Sequence, residues 1–62
     1  MDQINKKILI IDDDVAILKS LVYQFKKEGF TVVEGHNGNE GLMLALLEKP
    51  DLILLDIMMP EK

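Results

Sequence analysis

The chain reads as one α/β domain, a β-α-β-α-β succession with a three-stranded parallel sheet and one helix on each face. Two observations predict this. Three short apolar runs alternate with two helical stretches, and such alternation implies parallel strands joined by right-handed crossovers. Two of those runs also end in acid: Ile8 to Ile11 leads into Asp12, Asp13 and Asp14, and Leu52 to Leu55 leads into Asp56. Parallel neighbouring strands would bring these carboxylates together at the edge of the sheet where open α/β folds place ligands.

The first strand is expected over Lys7 to Ile11, a run of isoleucine and leucine short enough to be a strand buried on both faces. Asp14 is placed to cap a helix reaching Glu28. Its apolar residues Ile17, Leu21 and Phe25 recur every fourth position, with Leu18 and Val22 on the adjoining flank. Lys26 and Lys27 suit the negative end of the helix dipole, and Gly29 ends the helix. Phe30 to Glu34 reads as the second strand. A turn follows over Gly35 to Gly38, and Asn39 is the expected cap of a second helix from Glu40 to Glu48. That helix stops before Pro50, because the residue preceding a proline avoids helical geometry. Leu52 to Leu55 is the third strand. With the second strand on one side of the first and the third on the other, the order is 2-1-3 and the first strand is central.

At 62 residues the chain forms one small domain, without linker, repeat or second domain. It has no cysteine and a single histidine, His36, which excludes disulfides and a Cys/His zinc site. His36 sits in a polar turn and reads as a solvated surface group. The net charge of −4 argues against nucleic acid or an anionic membrane as a partner. No apolar run approaches the roughly 20 residues of a membrane span, so a soluble cytoplasmic protein is expected. Hydrophobic residues make up 48% of a chain too short to hide them all, which predicts that something covers the excess.

The motifs that carry chemistry are Leu9-Ile10-Ile11-Asp12-Asp13-Asp14 and Lys49-Pro50-Asp51-Leu52-Ile53-Leu54-Leu55-Asp56-Ile57-Met58-Met59-Pro60. Together they resemble the first half of a two-component response-regulator receiver domain, whose fold is flavodoxin-like and doubly wound. The segment Asn37-Gly38-Asn39-Glu40-Gly41-Leu42 is similar to the family's Asn-Gly-x-Glu-Ala-Leu, with glycine in place of the usual alanine. The resemblance spans nearly the whole chain. It implies that Asp56 accepts a phosphoryl group from a histidine kinase or phosphotransfer protein. It also implies that Asp12, Asp13, Asp56 and the backbone carbonyl of Met58 bind Mg²⁺. The role is that of a phosphoacceptor, not a classical enzyme. Elementary chemistry agrees: carboxylates gathered at one edge repel one another, and a hard divalent cation relieves this while neutralising a phosphoryl group under attack. Met58 stands where an aspartate-dependent phosphatase would place its general acid. No Gly-x-Gly-x-x-Gly follows the first strand, which removes a dinucleotide site.

The chain also departs from the family. It carries the βαβαβ half of a five-stranded fold, so the expectation is a truncated half-domain without the family's Ser/Thr and Lys, and without the complete switch. Leu18 and Val22 fall where the family commonly has basic residues, and Met43, Leu46 and Leu47 where it commonly faces water. Every residue from Leu42 to Leu47 is apolar, and no charge or proline protects the edge strand Leu52 to Leu55. These features predict a homo-oligomer formed through that strand edge, the Leu42–Leu47 helix, or both. The alternative function is therefore a structural module that self-associates without phosphotransfer.

Overall fold

In the computed structural model, which describes residues 6–55, the central strand β1 (Lys7–Ile11) lies between two parallel neighbours. They are β2 (Thr31–Gly35) and β3 (Leu52–Leu55), giving the order β2-β1-β3. Two helices, α1 (Val15–Lys27) and α2 (Gly38–Glu48), make the crossovers. This is the α/β arrangement expected from the sequence, a βαβαβ half of a doubly wound fold. Alternation along β1 divides its side chains between the two faces. Ile8 and Ile10 join Leu18 and Val22 of α1 in the core, whereas Ile11 meets Gly41 of α2 on the other face. Leu9 and Ile10 are wholly buried, each burial contributing about 1.5–3 kcal/mol.

Helix α1 begins and ends by chemistry written locally. The Asp14 carboxylate accepts the N–H groups of Ala16 and Ile17, so the expected N-cap is present. At the other end Gly29 takes a positive φ of 102°, the Gly29 N–H donates to the Lys26 carbonyl, and the Phe30 N–H donates to the Phe25 carbonyl. That bond pattern is a Schellman cap, and the Phe25 and Phe30 rings pack edge to face across it at 5.5 Å. The packed face of α1 differs from the expected one. Leu18 and Val22 are its buried centre, Leu21 and Phe25 flank them, and Ile17 lies at the margin, 36% exposed. Residues four apart drift by about 40° around a helix, so a strict every-fourth series walks off the face while Leu18, Leu21, Val22 and Phe25 stay on it. Leu18 and Val22 are thus core residues, not unmatched surface positions.

Two boundaries move for identifiable reasons. Strand β2 runs from Thr31 to Gly35, one residue later than expected, because the Phe30 N–H is committed to the α1 cap. Helix α2 starts earlier, capped by Asn37 instead of Asn39. Asn37 Oδ1 accepts the Glu40 N–H at 2.8 Å, and Glu40 Oε1 reaches back to the His36 N–H at 2.6 Å. An Asn followed three residues on by Glu is the spacing of a capping box, here with the return bond going to the residue before the cap, and this pair of bonds decides between the two asparagines. The helix ends at Glu48, with Lys49 in the left-handed region (φ 49°) ahead of Pro50.

Strand β3 occupies the expected residues and is pinned at its start by Asp51. Asp51 Oδ2 accepts the Lys7 N–H, and the Asp51 N–H donates to the Lys7 carbonyl, both at 2.8 Å. Lys7 Nζ in turn reaches the Glu48 carboxylate and carbonyl at 3.1 Å, tying the end of α2 to the start of β1. Both helices rest over β1 and β2. Leu52, Ile53 and Leu55 are therefore exposed, as are Leu42, Met43, Leu46 and Leu47 on the outer side of α2. Among the described residues no helix is long and apolar enough to cross a membrane.

Candidate functional site

The site is built where β1 and β2 end. The Asp12 N–H donates to the Gly35 carbonyl at 3.2 Å, so the β1–β2 ladder continues one residue past the strand and holds the Asp12 backbone in place. The Asp12 side chain is 1% exposed. Its Oδ1 accepts the Asp14 N–H at 2.9 Å, while its Oδ2 is buried without a hydrogen-bond partner among the described residues. Burying a carboxylate oxygen with no donor is costly unless a positive charge faces it. Asp13, by contrast, is exposed, and Asp14 is occupied in capping α1. Three consecutive aspartates thus have three environments, and only Asp12 presents an orphaned, buried oxygen.

That donor set fits a hard cation bound through oxygen. Magnesium keeps several waters and uses few protein carboxylates, so one fixed oxygen from Asp12 and an exposed carboxylate from Asp13 suit it. Among the described residues no three acidic, histidine or cysteine side chains converge as a metal-holding group. Asp56 and Met58, the other expected ligands, lie outside the described residues. The sheet register pairs Ile11 with Leu55, the residues immediately preceding Asp12 and Asp56 in sequence.

Beside this edge stands the turn from β2 to α2. His36 is exposed as expected, but it is not solvated alone: its ring Nδ1–H donates to Glu40 Oε1 at 2.8 Å. The His36 backbone N–H, then its ring, hold the Glu40 carboxyl below its ordinary value of 4.5. A shallow groove lined by Phe25, Lys27, Glu28 and Phe30 lies at the far end of α1, away from the acids.

Sequence reasoning missed two contributors. Asp51 stands in the recognised motif, but its part in pinning β3 to Lys7 was not read from it. Gly35 and Gly41 bring β2 and α2 together around Ile11: a Cβ on Gly35 would stand 3.2 Å from Ile11 Cγ1 and 3.3 Å from the Gly41 Cα. The glycine at position 41, where alanine was expected, was the available signal.

Comparison with known proteins agrees with this geometry. A family model described as the response regulator receiver domain matches residues 8–62. The alkaline phosphatase synthesis transcriptional regulatory protein PhoP of Bacillus subtilis (strain 168) is 46% identical to the chain over 57 residues. That match covers 92% of this chain and 24% of the relative, so the chain spans about a quarter of the length of the curated protein it matches.

Proposed function

Because the chain belongs to the response-regulator receiver domain family, we propose that it accepts a phosphoryl group on Asp56, with Mg²⁺ held by Asp12, Asp13, Asp56 and the Met58 carbonyl. The donor would be the phosphohistidine of a histidine kinase or phosphotransfer protein. The observation that carries the reading is the buried Asp12 Oδ2 without a partner, one residue beyond the strand pair that leads to Asp56.

In the transfer, a carboxylate oxygen of Asp56 attacks phosphorus. The new O–P bond forms as the P–N bond of phosphohistidine breaks, and the departing nitrogen takes the electron pair and a proton from solvent. Asp12 contributes a fixed oxygen, because its backbone is hydrogen-bonded to Gly35 and its Oδ1 to Asp14. Asp13, which is exposed, adjusts to the ligand geometry. When bound, Mg²⁺ neutralises charge on the transferring oxygens, the principal electrostatic demand of phosphoryl transfer. Incubating the folded chain with Mg²⁺ and a small-molecule phosphodonor tests the reading. We expect a mass increase of one phosphoryl group that is lost in Asp56→Asn or on chelation; a folded chain that gains no mass overturns it.

A second reading, from a different class, is favoured by the exposed apolar residues of β3 and α2. On this view two copies associate through the free edge of β3, the outer side of α2, or both, and do no phosphotransfer. An unprotected apolar strand edge is a template for another strand. The oligomeric state of the folded chain decides this reading.

A further inference from the structure

We propose that Gly41 is a positioning residue for Asp12: the absence of a side chain there lets Ile11 seat against the backbone of α2, and that seat sets where the buried carboxylate stands. The proposal rests on the metal-binding reading above only for its consequence, not for its geometry. Ile11 is the last residue of β1 and is buried. It is enclosed by the close approach of Gly35, at the end of β2, and Gly41, in the first turns of α2. A methyl group at position 41 would overlap Ile11 Cδ1 and stand 2.9 Å from Cγ1 and 3.4 Å from Cγ2.

Those contacts decide how the strain would travel. Were only Cδ1 crowded, rotation of the isoleucine tip would clear it. Cγ1 is bonded directly to Cβ, so relieving its contact requires a change of χ1 or a shift of the Ile11 backbone. A β-branched side chain in a strand has few χ1 rotamers to move to, which limits the first. The Ile11 backbone continues directly into the Asp12 peptide, whose N–H is bonded to the Gly35 carbonyl. A displacement there lengthens that bond and moves the one buried oxygen that lacks a donor. A well-packed interior transmits such a shift instead of absorbing it. Gly41 therefore acts on the site through Ile11 without touching the ligand.

The test uses the full chain and two readouts: Mg²⁺ affinity by titration calorimetry, and hydrogen exchange of the Asp12 amide without metal. Gly41→Ala should weaken Mg²⁺ binding on the order of tenfold, the usual scale for disturbing a residue that orients a metal ligand. It should also speed exchange at Asp12. Adding Ile11→Val removes Cδ1, the worst overlap, but keeps Cγ1, and should recover both readings only in part. Val22→Ala, on the opposite face, should lower stability and speed exchange of Asp12 no more than that of the other β1 amides, while leaving the Mg²⁺ affinity of the folded chain unchanged. If Gly41→Ala binds Mg²⁺ as tightly as the parent and Asp12 exchange is unaltered, α2 has lifted instead and the proposal is wrong. If the parent chain binds no Mg²⁺, the metal reading fails separately, and Asp12 exchange alone decides the positioning role. Should Gly41→Ala not fold, the same readings on Ile11→Val with and without Gly41→Ala decide it.

Discussion

Strands β1 and β3 are nearly the same sequence in two different places. Each is a run of isoleucine and leucine leading into aspartate, and they pair in register from Ile8 with Leu52 to Ile11 with Leu55. Leu9 is 0% exposed, whereas its partner Ile53 is 54% exposed. The difference comes from position alone: β1 has a strand on each side and a helix on each face, while β3 pairs only with β1 among the described residues. Apolar composition qualifies a strand for burial; its neighbours deliver the burial. The acids show the same contrast on a smaller scale, since Asp12 is enclosed by its own strand ends while Asp13 beside it faces water.

The largest test of this contrast is a pair of truncations. Leu9→Ala should destabilise the fold by about 2–5 kcal/mol, enough to unfold a small domain at ordinary temperature. Ile53→Ala should cost less than about 1 kcal/mol, because much of its side chain already meets water. Chemical denaturation measures both, and equal costs would mean that β3 is as well covered in solution as β1. A smaller effect concerns that cover. If two copies pair through β3, sedimentation equilibrium should show a dimer at micromolar concentration, and Ile53→Lys should shift it to monomer. A parent chain that is folded and monomeric at that concentration would remove the self-association reading.

The smallest effect contrasts an exposed acid with the buried one. Glu40 is held below its ordinary value by His36, so its folded form binds protons less readily than its unfolded form. It therefore contributes stability above that ordinary value of 4.5, and this contribution is lost as pH falls through the lowered folded value. Glu40→Gln should melt at slightly lower temperature near neutral pH and lose less on acidification below 4.5 than the parent does. Parallel melting curves across that range would show that the His36–Glu40 contact carries no stability.

Much of the fold was legible because its signals are local. Alternating apolar runs named the strands, Asp14 and Gly29 marked the ends of α1, and β3 fell on the expected residues. The errors have local causes too. Counting every fourth residue favoured Ile17 over Leu18, since a fixed step ignores the helical drift. Asn39 is the cap the sequence suggests, but the structure uses Asn37, whose Oδ1 accepts the Glu40 N–H while Glu40 returns to the His36 N–H. Of the site, Asp12, Asp13 and Asp14 were recognised as a group. Their division into a buried carboxylate, an exposed one and a cap follows their chemistry as expected for Asp14, and needed the fold for Asp12.

The order of elements, the centrality of β1 and membership of the receiver family were thus determined by the amino-acid sequence, because periodicity, caps and motif residues act within a few positions of themselves. Only the tertiary structure decided which aspartate oxygen is buried without a donor, which strand is covered, and what a side chain at position 41 would meet. Each of those depends on residues far apart in the chain (Asp12 on Gly35, Leu9 on both flanking strands, Gly41 on Ile11). A contact between distant residues exists only once the backbone has brought them together.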